Sequence, residues 1–392
     1  MASKTVKLPR GSVSIVYFGN DWSAENRTSS HHIAERLAAR MPLLYIDSPG
    51  LRAPKASGRD MRKILRKVTG AFRPPQSIGP AMWQMSTPQI PFRRLPFVNR
   101  LNGILGRVLV KRAIRRLGFS DVISWFVVPH PGPLAGTFGE KLVVYYCIDD
   151  YAALPDVDSV EVARMDADLT RRADQVFVAA PSLLEAKKKL NATAEHSPHG
   201  VDVTLFAQAS DLACPIAPAA ASLPHPVIGF FGLIEAWIDL DLVEWLARQR
   251  PEWTFLMIGR VAVDAGSIKD LPNVIFTGPQ PYRTLPHWAR AFDVAIIPYR
   301  QTRQVLNSNP LKLREYLATG KPVVAVPTPE IARFSDYVRI AHTPEEFMSS
   351  IEDALANDSP AAAQQRMSAV AGMSWDSRVK EILAVVERRL AS

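Results

Sequence analysis

Lys312 and Glu315 stand three residues apart in Asn307-Ser-Asn-Pro-Leu-Lys-Leu-Arg-Glu-Tyr-Leu-Ala-Thr-Gly-Lys-Pro-Val-Val-Ala325. Pro310 suits the first turn of a helix. The unpaired N–H groups of such a turn, with the helix dipole behind them, make an anion site. Lys312 in the same turn opposes that dipole unless an anion lies nearby. Glu315 falls on the same face, where a carboxylate accepts from two vicinal hydroxyls, as on a ribose. Together these describe a nucleoside diphosphate. The plainer alternative is an amphipathic helix with Lys312 and Glu315 as a surface pair. Asn309 lies in the approach to this helix. Arg260 follows the strand-like run ending Met257-Ile-Gly, and Tyr299, Arg300 and Arg303 follow another ending at Ile297. Fixed positive charge at such strand ends stabilises a departing diphosphate; each Arg is equally consistent with a solvated surface. Asp149 and Asp150 also follow an apolar run, and paired carboxylates there are candidates for a general base of raised pKa. A helix cap plus a surface acid accounts for them otherwise. In the loop after Gly19, the groups Asp21, Trp22, Arg27 and His32 can hydrogen-bond or stack on a sugar, or simply form a loop before a capped helix.

These residues need strands to end where they begin. Val13–Phe18, a helix from about Ser29 to Ala38, and Pro42–Ile46 form a β-loop-α-β unit of Rossmann-like type. Strands are expected at Val122–Val128, Lys141–Tyr146 and Gln175–Ala179, with helices at Val160–Arg172 and Ser182–Leu190. The Ala-, Pro- and Ser-rich segment 207–226 reads as a linker. The alternation then restarts with strands at Val227–Phe231, Thr254–Ile258, Val274–Thr277, Val294–Ile297 and Pro322–Ala325. Helices are expected at Leu240–Arg250, Tyr282–Ala291 and Leu311–Ala318, and an amphipathic tail helix at Asp376–Leu390. The expectation is an α/β chain of two Rossmann-like domains, 1–206 and 227–372, with a C-terminal helix in 373–392 crossing back to the first. Ligands in open α/β sheets bind beyond the carboxyl ends of the strands, so two such domains are expected to face each other across a cleft.

The 392 residues suit two domains of ordinary globular composition, 47% hydrophobic and 22% charged. Cys147 and Cys214 are too few for a disulfide scaffold or a thiolate metal site. No apolar run of about 18 residues occurs and none follows Met1, so neither a spanning helix nor a signal peptide is expected, and the compartment expected is the cytoplasm. The net charge of +9 is uneven: from Arg52 to Arg116 there are sixteen Lys and Arg against Asp60 alone, which leaves −6 for the rest. Such a block is a footprint for an anionic partner. Within 52–116, Met61–Val68 and Leu101–Leu117 interleave apolar and basic residues at helical spacing, which suits an anionic bilayer, with Phe92, Leu95, Pro96 and Phe97 able to enter the headgroup region.

The Pro-Leu-Lys…Glu-Tyr-Leu-Ala…Gly-Lys-Pro-Val-Val-Ala pattern resembles the nucleotide-sugar site of GT-B fold glycosyltransferases, above all the group 1, family 4 enzymes. His199-Gly-Val-Asp-Val-Thr-Leu-Phe206, Val227-Ile-Gly-Phe-Phe-Gly-Leu233 and Ser374-Trp-Asp-x-Arg378 resemble other family elements. The resemblance implies that Glu315 binds the ribose and that Asn307 occupies the place of the family's first glutamate. Gly232 would open the donor turn, and His130 would touch the transferred sugar. Besides Asn307 in place of that glutamate, two departures stand out: no cation follows Gly232 in Leu233-Ile-Glu-Ala-Trp-Ile-Asp239, and the first loop lacks the family's Gly-Gly. Tyr145-Tyr-Cys-Ile-Asp149 and Leu311-Lys-Leu-Arg-Glu-Tyr316 are similar to bacterial xanthan-type glucuronosyltransferases, inverting enzymes in which Asp149 would be the acceptor base.

What this implies is a cytoplasmic glycosyltransferase, peripheral on the inner face of the plasma membrane. It would move a hexosyl or glycuronosyl group from a UDP- or GDP-sugar to a lipid-linked or polysaccharide acceptor in exopolysaccharide or envelope synthesis. Retention is favoured by the likeness of the second half. No Asp-x-Asp motif stands at a donor strand end, so no metal and no cofactor beyond the donor is expected. The alternatives are a basic nucleic-acid-binding protein, disfavoured because the basic block holds few aromatics, and a nucleotide-sugar epimerase.

Overall fold

The computed structural model describes residues 13–24, 27–48, 73–87 and 96–391. The basic stretch expected at Met61–Val68, together with Phe92, Leu95 and the side chains of Pro96 and Phe97, lies outside them. The chain divides into two units: Met1–Pro198 with Val379–Ser392, and His199–Arg378.

The first unit is built on an eight-stranded sheet in the order β3-β4-β2-β1-β5-β6-β7-β8. Its strands are β1 Val13–Gly19, β2 Leu43–Asp47, β3 Gln76–Gly79, β4 Met82–Ser86, β5 Asp121–Phe126, β6 Leu142–Cys147, β7 Gln175–Val178 and β8 Ala194–His196. Every pairing is parallel except the β3–β4 hairpin at the edge. The middle strands are continuous apolar runs because helices cover both faces. Their aromatic rings stack across the ladder: Tyr17 lies 5.3 Å from Tyr45 and 6.2 Å from Trp125 between centroids. The hairpin falls inside the basic block and carries no helical period; Met82, Trp83 and Met85 bury while Gln84 is half-buried.

The second unit holds a six-stranded, all-parallel sheet in the order β11-β10-β9-β12-β13-β14. Its strands are β9 Val227–Phe231, β10 Thr254–Ile258, β11 Val274–Gly278, β12 Val294–Ile297, β13 Val323–Ala325 and β14 Arg339–Ile340. Side chains alternate between two cores. Val227, Phe231, Leu256, Ile258 and Ile297 pack on one face, and Ile228, Phe230, Phe255, Met257 and Ile296 on the other. This is the doubly wound order in which strand direction of growth reverses beside the first strand, here between β9 and β12. The first sheet reverses between β1 and β5 in the same way.

Three expectations differ from what is observed. The segment 207–226 packs onto the second unit: Ala209, Ala217 and Ala220 are buried in its core with Ile216 and Leu223 against it, because alanines bury readily although they add little to an apolar pattern. The boundary between the units falls earlier, at Pro198 and His199. The expected helix Tyr282–Ala291 is a 3-10 turn, Tyr282–Thr284, followed by the helix Leu285–Ala289; Pro286 has no N–H and therefore belongs in a first turn. The tail forms one helix, Trp375–Ala391, which opens in the second unit and from Val379 belongs to the first. Trp375 anchors its start, buried to 1% and ringed by His199 at 6.1 Å. Trp375→Ala is expected to lower the stability of the second unit by roughly 3–5 kcal/mol, the usual cost of emptying a buried Trp site; a urea titration followed by fluorescence checks it.

Candidate functional site

In the second unit the loops after β9, β10 and β12 converge at the carboxyl edge. The Gly232 N–H donates to the Ile258 carbonyl (2.8 Å), the Ile234 N–H to the Arg260 carbonyl (3.0 Å) and the Arg300 N–H to the Trp237 carbonyl (2.8 Å). Two glycines make this convergence possible. Gly259 has φ 142° and Gly232 φ 150°, both in the region that disfavours side chains. A Cβ on Gly259 would lie 1.8 Å from the Gly232 carbonyl oxygen, and one on Gly232 would lie 2.9 Å from Lys312 Cε. The helix Leu311–Thr319 therefore brings Lys312 hard against the Gly232 turn. Pro310 stands just before its first turn, as the cap residue without a capping side chain.

Lys312 Nζ donates to Glu315 Oε2 at 2.7 Å and lies 4.8 Å from the centre of the Phe231 ring. The two form an ion pair, but not a surface one: their side chains are 20% and 5% exposed. The Phe231 N–H donates to the Tyr316 hydroxyl at 2.9 Å, which ties the helix to the end of β9. Burial, with the Glu315 carboxylate nearby, pushes the Tyr299 phenol well up. Gly232, Tyr299, Lys312 and Glu315 are thus gathered at one strand-end site. Asn309 is buried and its Oδ1 accepts from Arg314 Nη1 at 2.6 Å; Arg314 also pairs with Glu330 at 2.5 Å. The Asn309 oxygen therefore serves the frame beneath the helix. Arg300 is drawn to carboxylates, 2.6 Å from Asp241 and 3.6 Å from Asp239. Arg260 and Arg303 are exposed, and Asn307 is half-buried at the end of the turn Arg303–Leu306. The composition of the loop gave no sign of Phe231 as a seat for the cation, nor that Glu235 would be buried in it.

In the first unit the loops after β5 and β6 meet. The Tyr151 hydroxyl donates to the Val127 carbonyl at 2.5 Å, and Val128, Tyr151, Ala152 and Val162 share a small core. His130 is buried in the first loop and Asp149 half-buried in the second. Burial pushes the Asp149 carboxyl up to about 7, with the Asp150 N–H that it accepts pulling down and the Asp150 charge pushing up. The loop after β1 is held by Asp47, at the end of β2: its Oδ1 accepts from the Trp22 N–H (2.9 Å) and its Oδ2 from Gln84 (2.7 Å) and Ser86 (3.2 Å). Arg27 lies 4.6 Å over the Trp22 ring and pairs with Glu35. Asp21 is exposed and its carboxylate accepts from Ser23. His32 is buried in its helix, whereas His31 reaches the loop: Nδ1 accepts from the Thr28 N–H (3.1 Å) and Nε2 meets the Asp21 carbonyl (3.0 Å). Burial lowers His31 to about 4. The ring is therefore neutral at pH 7, with its proton on Nε2 donated to Asp21. A strand-end filter applied to β2 finds Asp47; Gln84 and Ser86 lie on β4, which the basic texture concealed.

Among the described residues, no cluster of His, Cys, Asp and Glu could hold a metal ion, and no helix is long and apolar enough to cross a membrane.

Residues 221–357 match the family of glycosyl transferases group 1. The second unit thus carries a group 1 glycosyltransferase domain. A Bacillus subtilis protein named as a teichuronic acid biosynthesis glycosyltransferase, TuaH, is 28% identical over 281 residues, covering 66% of this chain and 70% of that protein. The fold is that of GT-B enzymes. Sucrose-phosphate synthase from Thermosynechococcus elongatus matches with a TM-score of 0.69 at 15% identity, over 97% of this chain and 99% of that one. The Escherichia coli trehalose-6-phosphate enzyme bound with UDP-2-fluoro glucose matches at 0.67 and 12%, over 95% and 98%. Anabaena HepE with UDP and glucose matches at 0.65 and 14%, over 96% and 99%.

Arg314 and Glu330 are each 2% exposed, and removing Arg314 leaves Glu330 only its longer contact to Arg333 at 3.4 Å. Arg314→Ala is expected to cost roughly 3–5 kcal/mol in chemical denaturation, and Arg314→Met with Glu330→Leu to recover most of it.

Proposed function

We propose that this protein transfers a hexosyl or glycuronosyl group from a UDP- or GDP-sugar to a lipid-linked or polysaccharide acceptor in envelope or exopolysaccharide synthesis. In this reading the second unit binds the donor and the first the acceptor. The observation that carries it is the placement of Lys312 against the Gly232 turn with Glu315 beside it. A diphosphate there meets the ammonium, the first N–H groups of the helix and its dipole; a ribose hydroxyl pair meets Glu315. The two UDP-bound neighbours and the teichuronic acid relative support the donor and the glycan setting. Asp21, Trp22 and Arg27, at the reversal of the first sheet, are the proposed acceptor contacts; His32 is buried in its helix and leaves that set, and His130 is proposed to touch the transferred sugar. Arg260, Arg303 and Asn307 remain donor candidates, with Arg300 able to join only by leaving its two carboxylates. The basic segment 52–116 would hold the enzyme peripherally on the inner, anionic face of the membrane, where no metal is required.

The likeness of the second half favours retention, whereas the acid at the end of β6 favours inversion. The Asp149 carboxyl at about 7 is poised to take a proton from an acceptor hydroxyl at neutral pH. Inversion then needs the ionised form, so kcat/KM is expected to fall about tenfold per pH unit below pH 7 and to level off above it. Asp149→Asn abolishes turnover in that case, while full turnover by this variant eliminates the inverting course; the anomeric configuration of the product, read by NMR, decides independently.

Lys312→Ala and Glu315→Ala are each expected to weaken UDP or GDP binding and lower kcat/KM by about 10²–10³-fold, as loss of a single oriented charge does. Calorimetric titration of the two nucleotides against both variants tests this. Unchanged nucleotide affinity in both variants removes the donor site from this helix.

A further inference from the structure

The helix Pro96–Leu117 is apolar on two opposite faces. One face is its own core contact: Val98, Val110, Ala113, Ile114 and Leu117 are buried. Gly106 lies so close to the 3-10 turn Gly132–Leu134 that a Cβ there would sit 3.3 Å from Leu134 Cδ1. On the far side Leu101, Ile104 and Val108 are exposed by 41%, 53% and 57%. Their spacing of three and four places them in one row, which continues as Lys111, Arg112 and Arg115. Arg100, Arg107, Arg112, Arg115 and Arg116 are all exposed, and the helix contains no acid. An amphipathic surface helix needs only one apolar stripe; the second has no partner within the described residues.

The charge around the stripe selects its occupant. A second copy of this chain would bring the same cations against themselves, and a nucleic acid has no use for three aliphatic side chains. An anionic bilayer satisfies both features, taking the aliphatic row into the acyl boundary and the guanidinium groups at the phosphates. We propose that the face formed by Leu101, Ile104, Val108, Arg107, Arg112 and Arg115 docks on an anionic lipid surface. The proposal rests on the membrane setting given above and assigns the contact to one helix face. Because the opposite face of the same helix packs on the turn that follows His130, the docked surface lies directly behind the loop proposed to meet the transferred sugar. A lipid-linked acceptor would then be held at the surface where the enzyme sits.

The test is flotation of the full-length protein with vesicles of phosphatidylcholine alone and of phosphatidylcholine with phosphatidylglycerol. The protein is expected to float with the anionic vesicles and not with the neutral ones, and less as salt rises. Ile104→Ser with Val108→Ser, and separately Arg107→Glu with Arg112→Glu, are expected to reduce flotation at least tenfold. Both pairs are exposed, so an unchanged thermal midpoint and unchanged UDP or GDP binding show that fold and donor site are intact. That nucleotide measurement also separates this proposal from the glycosyltransferase reading, which fails only if binding itself is absent. Equal flotation with neutral vesicles, undiminished flotation of either double variant, or a concentration-dependent dimer abolished by the serine pair would each overturn it. So would retention of an oligonucleotide in place of vesicles.

Discussion

A carboxylate with 5% of its side chain exposed cannot stay charged without a partner, and Glu315 has Lys312 at 2.7 Å. That requirement organises the strand-end site of the second unit. Lys312 reaches Glu315 only by lying along the Phe231 ring and over Gly232, so positions 231 and 232 must present a ring face and no side chain. Gly259 must in turn let the Gly232 carbonyl pass. The pair also explains how a lysine is tolerated in the first turn of a helix, where the dipole disfavours it. A ligand offering an anion to one member and hydroxyl donors to the other can replace the pair without leaving either charge stranded.

Both sheets place their chemistry where strand order reverses. Between β9 and β12 lie the loops carrying Gly232 and Tyr299, which bond to each other; between β1 and β5 lie the loops carrying Trp22 and His130. Helices leave such neighbouring strands in opposite directions, so the edge between them stays open without any special device. What differs is how each opening is stiffened. In the second unit it is backbone, with glycines and carbonyls in close register. In the first it is side chains: Asp47 holding Trp22, and neutral His31 holding Asp21. Backbone suits a phosphate, which asks for N–H groups at short range. Rings and amides suit a sugar, which asks for a flat face and varied polar partners.

The strands were legible because parallel strands buried on both faces are unbroken apolar runs: Val13–Phe18, Val227–Phe231 and Thr254–Ile258 stand out from any neighbour. The helix of Lys312 and Glu315 was legible from spacing alone. What composition hid is instructive in each case. The β3–β4 hairpin sits among cations whose density suggests helix. The helices Pro344–Asn357 and Pro360–Val370 are announced by Thr343 and Ser359, whose hydroxyls accept from Glu346 N–H at 3.1 Å and Ala362 N–H at 3.2 Å. This Thr/Ser-Pro start is a cap signature that their alanine-rich, weakly patterned bodies obscured. The Ala- and Pro-rich stretch 207–226 carries few large apolar side chains, so its pattern gives no sign that its alanines are buried. Contacts such as Lys312 on Phe231, or Arg300 on Asp239 and Asp241, join residues tens of positions apart and have no local signal at all.

The charge inventory of this strand-end site bears on how a leaving diphosphate would be supported in the proposed reaction. Sequence alone offers four cations there, Arg260, Arg300, Arg303 and Lys312. In the folded unit Lys312 is compensated by Glu315, and Arg300 by Asp239 and Asp241. Arg260 and Arg303 are exposed to water, where a single charge is worth about 1 kcal/mol at contact distance. Fixed positive charge is therefore small until a ligand displaces a carboxylate from its partner. The groups that need no rearrangement are the N–H donors of the first turn of Leu311–Thr319, aligned with the helix dipole and already in place. Under the proposed function, the interaction with a diphosphate would be strongest only once that diphosphate carries enough charge to compete with Glu315 for Lys312. That competition would favour the separated nucleotide over the intact sugar ester, the direction the proposed transfer requires.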